Sequence, residues 1–122
     1  MNKFGAKKVE YYGIVFDSQA EGKRYLQLRE REERGEITDL KCHPSFVILM
    51  GFKHRFAGKV RGIKYIADFT YTDMEINHGQ VVVEDVKGSA TEVYKIKRKM
   101  FLKLYPFVVF LEINKKTNPE LF

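Results

Sequence analysis

Gln80-Val81-Val82-Val83-Glu84-Asp85-Val86-Lys87-Gly88 is the stretch on which the reading of the fold turns. A run of β-branched residues closed by glycine reads as a strand. Its alternation puts Val83, Asp85 and Lys87 on one face and Val82, Glu84 and Val86 on the other. Asn77-His78-Gly79, just before it, marks a turn. After Gly88, Thr91 caps a predicted helix whose apolar positions Val93, Ile96, Met100, Phe101 and Leu104 fall on one face, and Pro106 ends it. Phe107 to Ile113 follows as an almost wholly apolar strand, expected to be central and covered on both faces. Strand, helix, strand in this order predicts a crossover that sets the last strand parallel to a neighbour.

Upstream, Ile63 to Thr72 predicts another strand, containing Tyr65-Ile66-Ala67-Asp68-Phe69. Phe46 to Met50 predicts a mostly buried one, closed by Gly51. The polar Lys53 to Arg61, with Gly58 and Gly62, reads as the hairpin connection between them. The three strands are expected to form an antiparallel meander. Ahead of them, Ser18 with Glu21 three residues on is a capping-box pattern, and Gly35 stops the helix it opens. The charged stretch Arg29 to Arg34 is a solvated helix face. Tyr12, Ile14 and Phe16 alternate as a short strand or arm. The reading is α/β in the order α-β-β-β-α-β, a mixed central sheet flanked by helices. It forms one domain over 1–122, with a core at about 12–113, a basic arm at 1–11 and a frayed polar tail at 114–122.

A chain of 122 residues that is 44% hydrophobic can build one real core, which excludes a disordered tail or a collagen-like polymer. The net charge of +6, with a pI near 9.4, favours a polyanionic partner, nucleic acid ahead of an anionic membrane. Cys42 is alone, so it forms no internal disulfide and builds no zinc site by itself; it reads as a half-buried filler in a reducing compartment. The longest apolar runs, Phe46 to Met50 and Phe107 to Leu111, fall far short of the ~20 residues of a membrane span. The N-terminus lacks the apolar segment of a signal peptide. A soluble, cytoplasmic protein is expected. His43, His54 and His78 are scattered without metal-ligand spacing and read as ordinary. Neither a glycine-rich phosphate loop nor a nucleophile elbow is present.

Chemistry concentrates at Asp68 and Asp85. Strands joined by a hairpin can bring the two acids together, and converging carboxylates repel until a hard divalent cation relieves them. Each residue also has a structural reading. Glu21 closes a capping box, and Asp68 is a strand-edge acid, though a costly one if unpaired. Asp85 and Lys87 make a surface ion pair. Glu84 is a structural partner on the opposite face, unless a bulge exchanges it with Asp85.

Asp68 followed by Asp85-Val86-Lys87 resembles the motif of the PD-(D/E)xK nucleases, the restriction-endonuclease-like superfamily, with Ala67 standing where the motif has proline. With Phe16-Asp17-Ser18, Glu21, Tyr65 to Phe69, Glu84 to Gly88, Thr91, Tyr94 and Lys97, the likeness extends over about residues 2 to 113. Over that span the chain resembles a family of small phage proteins described as Holliday-junction-resolvase-like endonucleases. The resemblance implies a restriction-endonuclease-like fold and a Mg²⁺-dependent, structure-selective DNA endonuclease, with Mn²⁺ as a possible substitute. It assigns the metal to Glu21, Asp68, Asp85 and the backbone carbonyl of Val86, and gives Lys87 the role of orienting water. A resolvase cuts two symmetry-related strands, so a homodimer with two active sites is implied, joined through the last strand or the first helix. Nothing implies a nucleotide cofactor. A nicking or transposon-end-type endonuclease is the alternative within the class. A non-catalytic DNA-binding recombination accessory protein is the alternative outside it.

For the substrate, Lys95, Lys97, Arg98, Lys99 and Lys103 surround the second helix, whose first turns follow the strand that carries Asp85. Lys3, Lys7 and Lys8, and the hairpin residues Lys53, His54, Arg55, Lys59, Arg61 and Lys64, extend this track. Such residues neutralise phosphates without reading bases, which points to recognition of branched DNA by shape.

Overall fold

The computed structural model describes residues 7–122. A hairpin of β1 (Val9–Tyr11) and β2 (Ile14–Phe16) leads into α1 (Gln19–Glu33). Ser18 caps the helix, its hydroxyl accepting the Glu21 N–H at 3.1 Å. At the other end Gly35 takes φ +77, Glu36 N–H reaches the Arg31 carbonyl and Gly35 N–H that of Glu32, a Schellman closure. Next come β3 (Ile37–Cys42), β4 (Ser45–Leu49), β5 (Phe52–His54), β6 (Gly58–Val60) and β7 (Ile63–Ile66). The chain continues through β8 (Phe69–Asp73), β9 (Gln80–Val86), α2 (Glu92–Leu104) and β10 (Val109–Ile113) to a 3-10 helix at Pro119–Leu121.

Four strands form the main sheet in the order β10-β9-β8-β3. β9 runs antiparallel to β8 and parallel to β10, so the sheet is mixed and the crossover through α2 is present. The alternation along β9 sorts the two faces. Val82 and Val86 pack with Tyr25 and Leu28 of α1, Phe16, Phe69 and Tyr71. Val83 packs on the other side with Tyr94 and Phe101 of α2, Ile48, Tyr65 and Ala67. The result is a helix, sheet, helix sandwich.

Strands β3–β4 and β7–β8 are one antiparallel ribbon carried through a bend. Cys42 pairs with Phe69 and Ser45 with Ile66, one register on both sides of the bend. At the bend itself His43 N–H donates to the Asp68 carbonyl (2.8 Å) and Ala67 N–H to that of Pro44 (3.0 Å). The predicted strand over 63–72 is therefore two strands broken at Ala67-Asp68. Before the break it pairs with β4 alone; beyond it β8 also pairs with β9.

Other expectations change for physical reasons. β10 is an edge strand rather than a central one: the crossover adds it outside β9, and Leu111 remains 38% exposed. β3 went unread because Asp39 interrupts it at φ +61 and Ile37 alone of its six residues is buried, as suits the opposite edge. On α2 the buried residues are Tyr94 and Phe101, while Val93, Ile96 and Leu104 lie outside. The run Phe46 to Met50 is bare on one side, with Val47 and Met50 exposed. Residues 9–11 of the expected arm form β1, which seats against α1 at Gly22, where a Cβ would come within 2.5 Å of Val9 Cγ2. The tail packs instead of fraying: Leu121 is buried among the α1-side core residues. Among the described residues no helix is long and apolar enough to cross a membrane.

Candidate metal centre

Glu21 and Asp68 meet at the bend, and Asp85, with Lys87 two residues on just past the end of β9, adjoins Asp68. The Ser18 cap sets the first turn of α1 so that Glu21 points inward, where its Oε2 accepts the Asp17 N–H at 3.1 Å. Asp68 sits where the ribbon turns; its N–H donates to the Glu84 carbonyl, which sets it beside Asp85. Asp68 Oδ2 accepts the Val86 N–H at 2.7 Å, so Val86 serves the cluster through its amide. Asp85, 1% exposed, accepts the Tyr65 hydroxyl and lies 3.2 Å from Lys87 Nζ. That ammonium also rests 4.3 Å from the centre of the Tyr94 ring.

Three largely buried carboxylates with one ammonium make an electrostatically unbalanced site. The pKa values of Asp68 and Asp85 are both pushed up to about 7, first by burial and then by a neighbouring carboxylate, Glu21 for Asp68 and Asp68 for Asp85. Glu21 is raised as well, again mainly by burial. Tyr65 and Tyr94 hold their protons far more tightly than usual, because a phenolate there would be desolvated beside carboxylates.

Glu84 is the instructive contrast. β9 runs without a bulge, so Glu84 faces α1, where Arg24 grips it with Nε (2.8 Å) and Nη2 (2.7 Å) and Tyr71 adds its hydroxyl. Adjacent acids on one strand thus have opposite fates. Glu84 is neutralised by a bidentate guanidinium, and Asp85 is left in a carboxylate cluster.

His43, read as ordinary from sequence, belongs to the site. One nitrogen of its ring and one oxygen each of Glu21 and Asp68 all lie within 4.8 Å of one another. The backbone bond from His43 to Asp68 fixes this approach, with His43 at φ +54, a conformation most side chains avoid. Sequence spacing gave no sign of it, because 25 residues separate it from Asp68 and only the ribbon's register brings them together. Cys42 next door is held protonated, its thiol raised to about 11 chiefly by burial, in keeping with a filler.

The donor set suits a divalent cation. Carboxylate oxygens favour Mg²⁺ or Mn²⁺, and an imidazole at the rim shifts preference toward Mn²⁺. Without such a charge the carboxylates are opposed only by Lys87.

A family model described as "Protein of unknown function (DUF1064)" matches residues 1–117. The chain belongs to that family. No curated protein and no solved structure matches it.

The predicted DNA contacts of this DUF1064 chain divide. Arg98 is half-buried and turned to Glu112 at 3.4 Å, and Lys95 lies 3.3 Å from Glu92. Lys99, Lys7 and Lys8 are exposed, Lys97 is half-buried, and Lys3 lies outside the described residues.

Proposed function

We propose that this protein is a metal-dependent, structure-selective DNA endonuclease with a restriction-endonuclease-like fold, of the kind that resolves four-way junctions. What supports this above all is one observation: Glu21 and Asp85 each adjoin Asp68, all three largely buried, with Lys87 as the ammonium beside Asp85. A binding-only protein gains nothing by gathering three acids where DNA phosphates must approach. Burying them destabilises the fold unless a cation serves a purpose there.

Glu21, Asp68 and Asp85 would hold Mg²⁺ or Mn²⁺, with His43 at the rim. Bound there, the ion would lower the pKa of water and neutralise charge on the scissile phosphate. Lys87, fixed between Asp85 and the Tyr94 ring, orients the attacking water and meets charge developing on the phosphate. Tyr65, a neutral donor, holds Asp85 in place. Tyr94 donates to Glu112 at 2.7 Å, which fixes the ring that supports Lys87. Symmetric cutting of a junction requires two such sites, hence a homodimer acting on DNA inside the cytoplasm.

The test is cleavage of an end-labelled four-way junction beside nicked, flap and linear duplex of the same sequence, in Mg²⁺, in Mn²⁺ and in EDTA. Paired symmetric cuts in the junction, abolished by EDTA and at least 100-fold slower with Asp85→Ala, are expected. Cutting confined to flaps or transposon-like ends replaces resolution with nicking. Junction binding without metal binding or cutting rejects the enzyme.

A further inference from the structure

One stretch carries as much charge as the whole chain's net +6, and a second run of five cations without an acid extends from Val93 to Leu111. From Leu40 to Ala67 the chain holds six cations and no acid, so the rest carries 16 of each sign and is neutral. This segment is the outer part of the bent ribbon and the β5–β6 hairpin at its end. Lys53, Arg55, Lys59, Arg61 and Lys64 are all exposed there, and none is ion-paired among the described residues. Elsewhere paired and unpaired cations are mixed: Arg24, Arg31, Arg34, Lys87, Lys95 and Arg98 have carboxylate partners, whereas in this segment no acid is present to offset the free ones.

The tip is built, and it ends in an aromatic ring. His54 Nδ1 accepts the N–H groups of Phe56 (3.2 Å) and Ala57 (3.0 Å), and Gly58 at φ +77 completes the turn. This holds Phe56 outward at 85% exposure, with the Arg55 guanidinium 5.4 Å from its ring centre. Phe107 is equally exposed, so what marks Phe56 is the guanidinium beside its ring and the cations along both strands behind it. Cations along both strands with a ring and a guanidinium at the tip suit an anionic backbone ending in an unstacked base. An acidic protein surface would match the cations but offers no flat ring for Phe56. At the base, Gly51 and Gly62 cross so closely that a Cβ on Gly62 would lie 2.7 Å from the Leu49 carbonyl. The hairpin is therefore set against β4 and β7 by backbone contact. Phe56 precedes Asp68 by 12 residues, so the tip lies no more than about 40 Å of extended strand from the candidate metal centre.

We infer that residues 50–64 form a DNA-gripping arm, in which Lys53, Arg55, Lys59, Arg61 and Lys64 take backbone phosphates and Phe56 wedges into an open base step at a branch point. The arm's charge is independent of the nuclease reading, on which the choice of DNA rests.

The test is fluorescence anisotropy in EDTA, where no cutting occurs, with a labelled four-way junction and a linear duplex of the same sequence. Phe56→Ala should weaken junction binding about 10-fold and duplex binding less than about 2-fold. Lys53→Ala/Arg55→Ala should weaken both about 10-fold and flatten the salt dependence by about two phosphate contacts. Lys115→Ala/Lys116→Ala, the same charge change at exposed sites of the tail, should leave both within about 2-fold; circular dichroism checks that each variant folds. Equal losses from the two double variants would mean that net charge alone matters and would overturn the arm. An unchanged junction affinity in Phe56→Ala would overturn the wedge. Tighter binding of an RNA junction would overturn the choice of DNA. Intact cutting by variants that bind normally removes the arm and keeps the nuclease. The expected binding pattern without any metal-dependent cutting removes the nuclease and keeps the arm.

Discussion

At the scale of the residue, stability and the proposed metal binding oppose each other at Asp68 and Asp85. With both raised to about 7, the folded protein keeps protons that an unfolded chain, at an ordinary carboxylate pKa of about 3.9, has already released. Their contribution to stability is therefore full below about pH 4 and is lost as pH rises through 7. In EDTA, Asp85→Asn should be about 1–3 kcal/mol more stable than the wild type at pH 8 and should show little advantage at pH 4. Urea unfolding at the two pH values measures this, and calorimetric titration with Mn²⁺ should show binding lost in the same variant. An Asn variant less stable than wild type at pH 8 would mean that the cluster is a satisfied structural network. Much of this was legible in the sequence, since strand alternation alone separates Asp85 from Glu84. His43 was not, because a neighbour supplied by cross-strand register leaves no local pattern.

Among the elements, the bent ribbon explains both what the sequence reveals and what it hides. Apolar, β-branched character continues through Ile66, Ala67 and Phe69, so periodicity sees one strand where pairing partners change at Asp68. On α2 the helical period is plain, but period alone does not say which stripe meets the sheet. Tyr94 and Phe101 win, because large aromatics bury most area and the Tyr94 hydroxyl finds Glu112. The glycine pair at the ribbon's outer end is a further element-scale constraint. A methyl group at Gly62 would press on the Leu49 carbonyl at 2.7 Å and the Gly51 nitrogen at 3.0 Å, both backbone atoms that cannot rotate aside. Gly62→Ala should cost about 2 kcal/mol in urea unfolding, by the strain of forcing the strands apart. An unchanged midpoint would show that the crossing opens freely.

Over the whole molecule, both ends of the described chain close on α1. β1 lies against it at Gly22, and the C-terminal 3-10 helix brings Leu121 into the core and Glu120 to within 3.1 Å of Gln27. Truncation after Asn118 should therefore lower stability by about 2–3 kcal/mol, the scale of exposing one buried leucine and its surroundings. A thermal melt of the shortened chain measures it, and an unaltered transition would return the tail to its predicted frayed state. The sequence understated this packing because nine mostly polar residues from Asn114 contain only Leu121 and Phe122 as large apolar side chains. One hydrogen bond, His43 N–H to the Asp68 carbonyl at 2.8 Å, joins the two points where the ribbon leaves the main sheet and returns to it. Everything from Pro44 to Ala67 thus passes through a single doorway, and a segment with adjoining ends behaves as a cassette. Such a piece can be exchanged for one of another length or charge while the residues at the doorway hold their places. One α/β scaffold could in this way carry different outer ribbons.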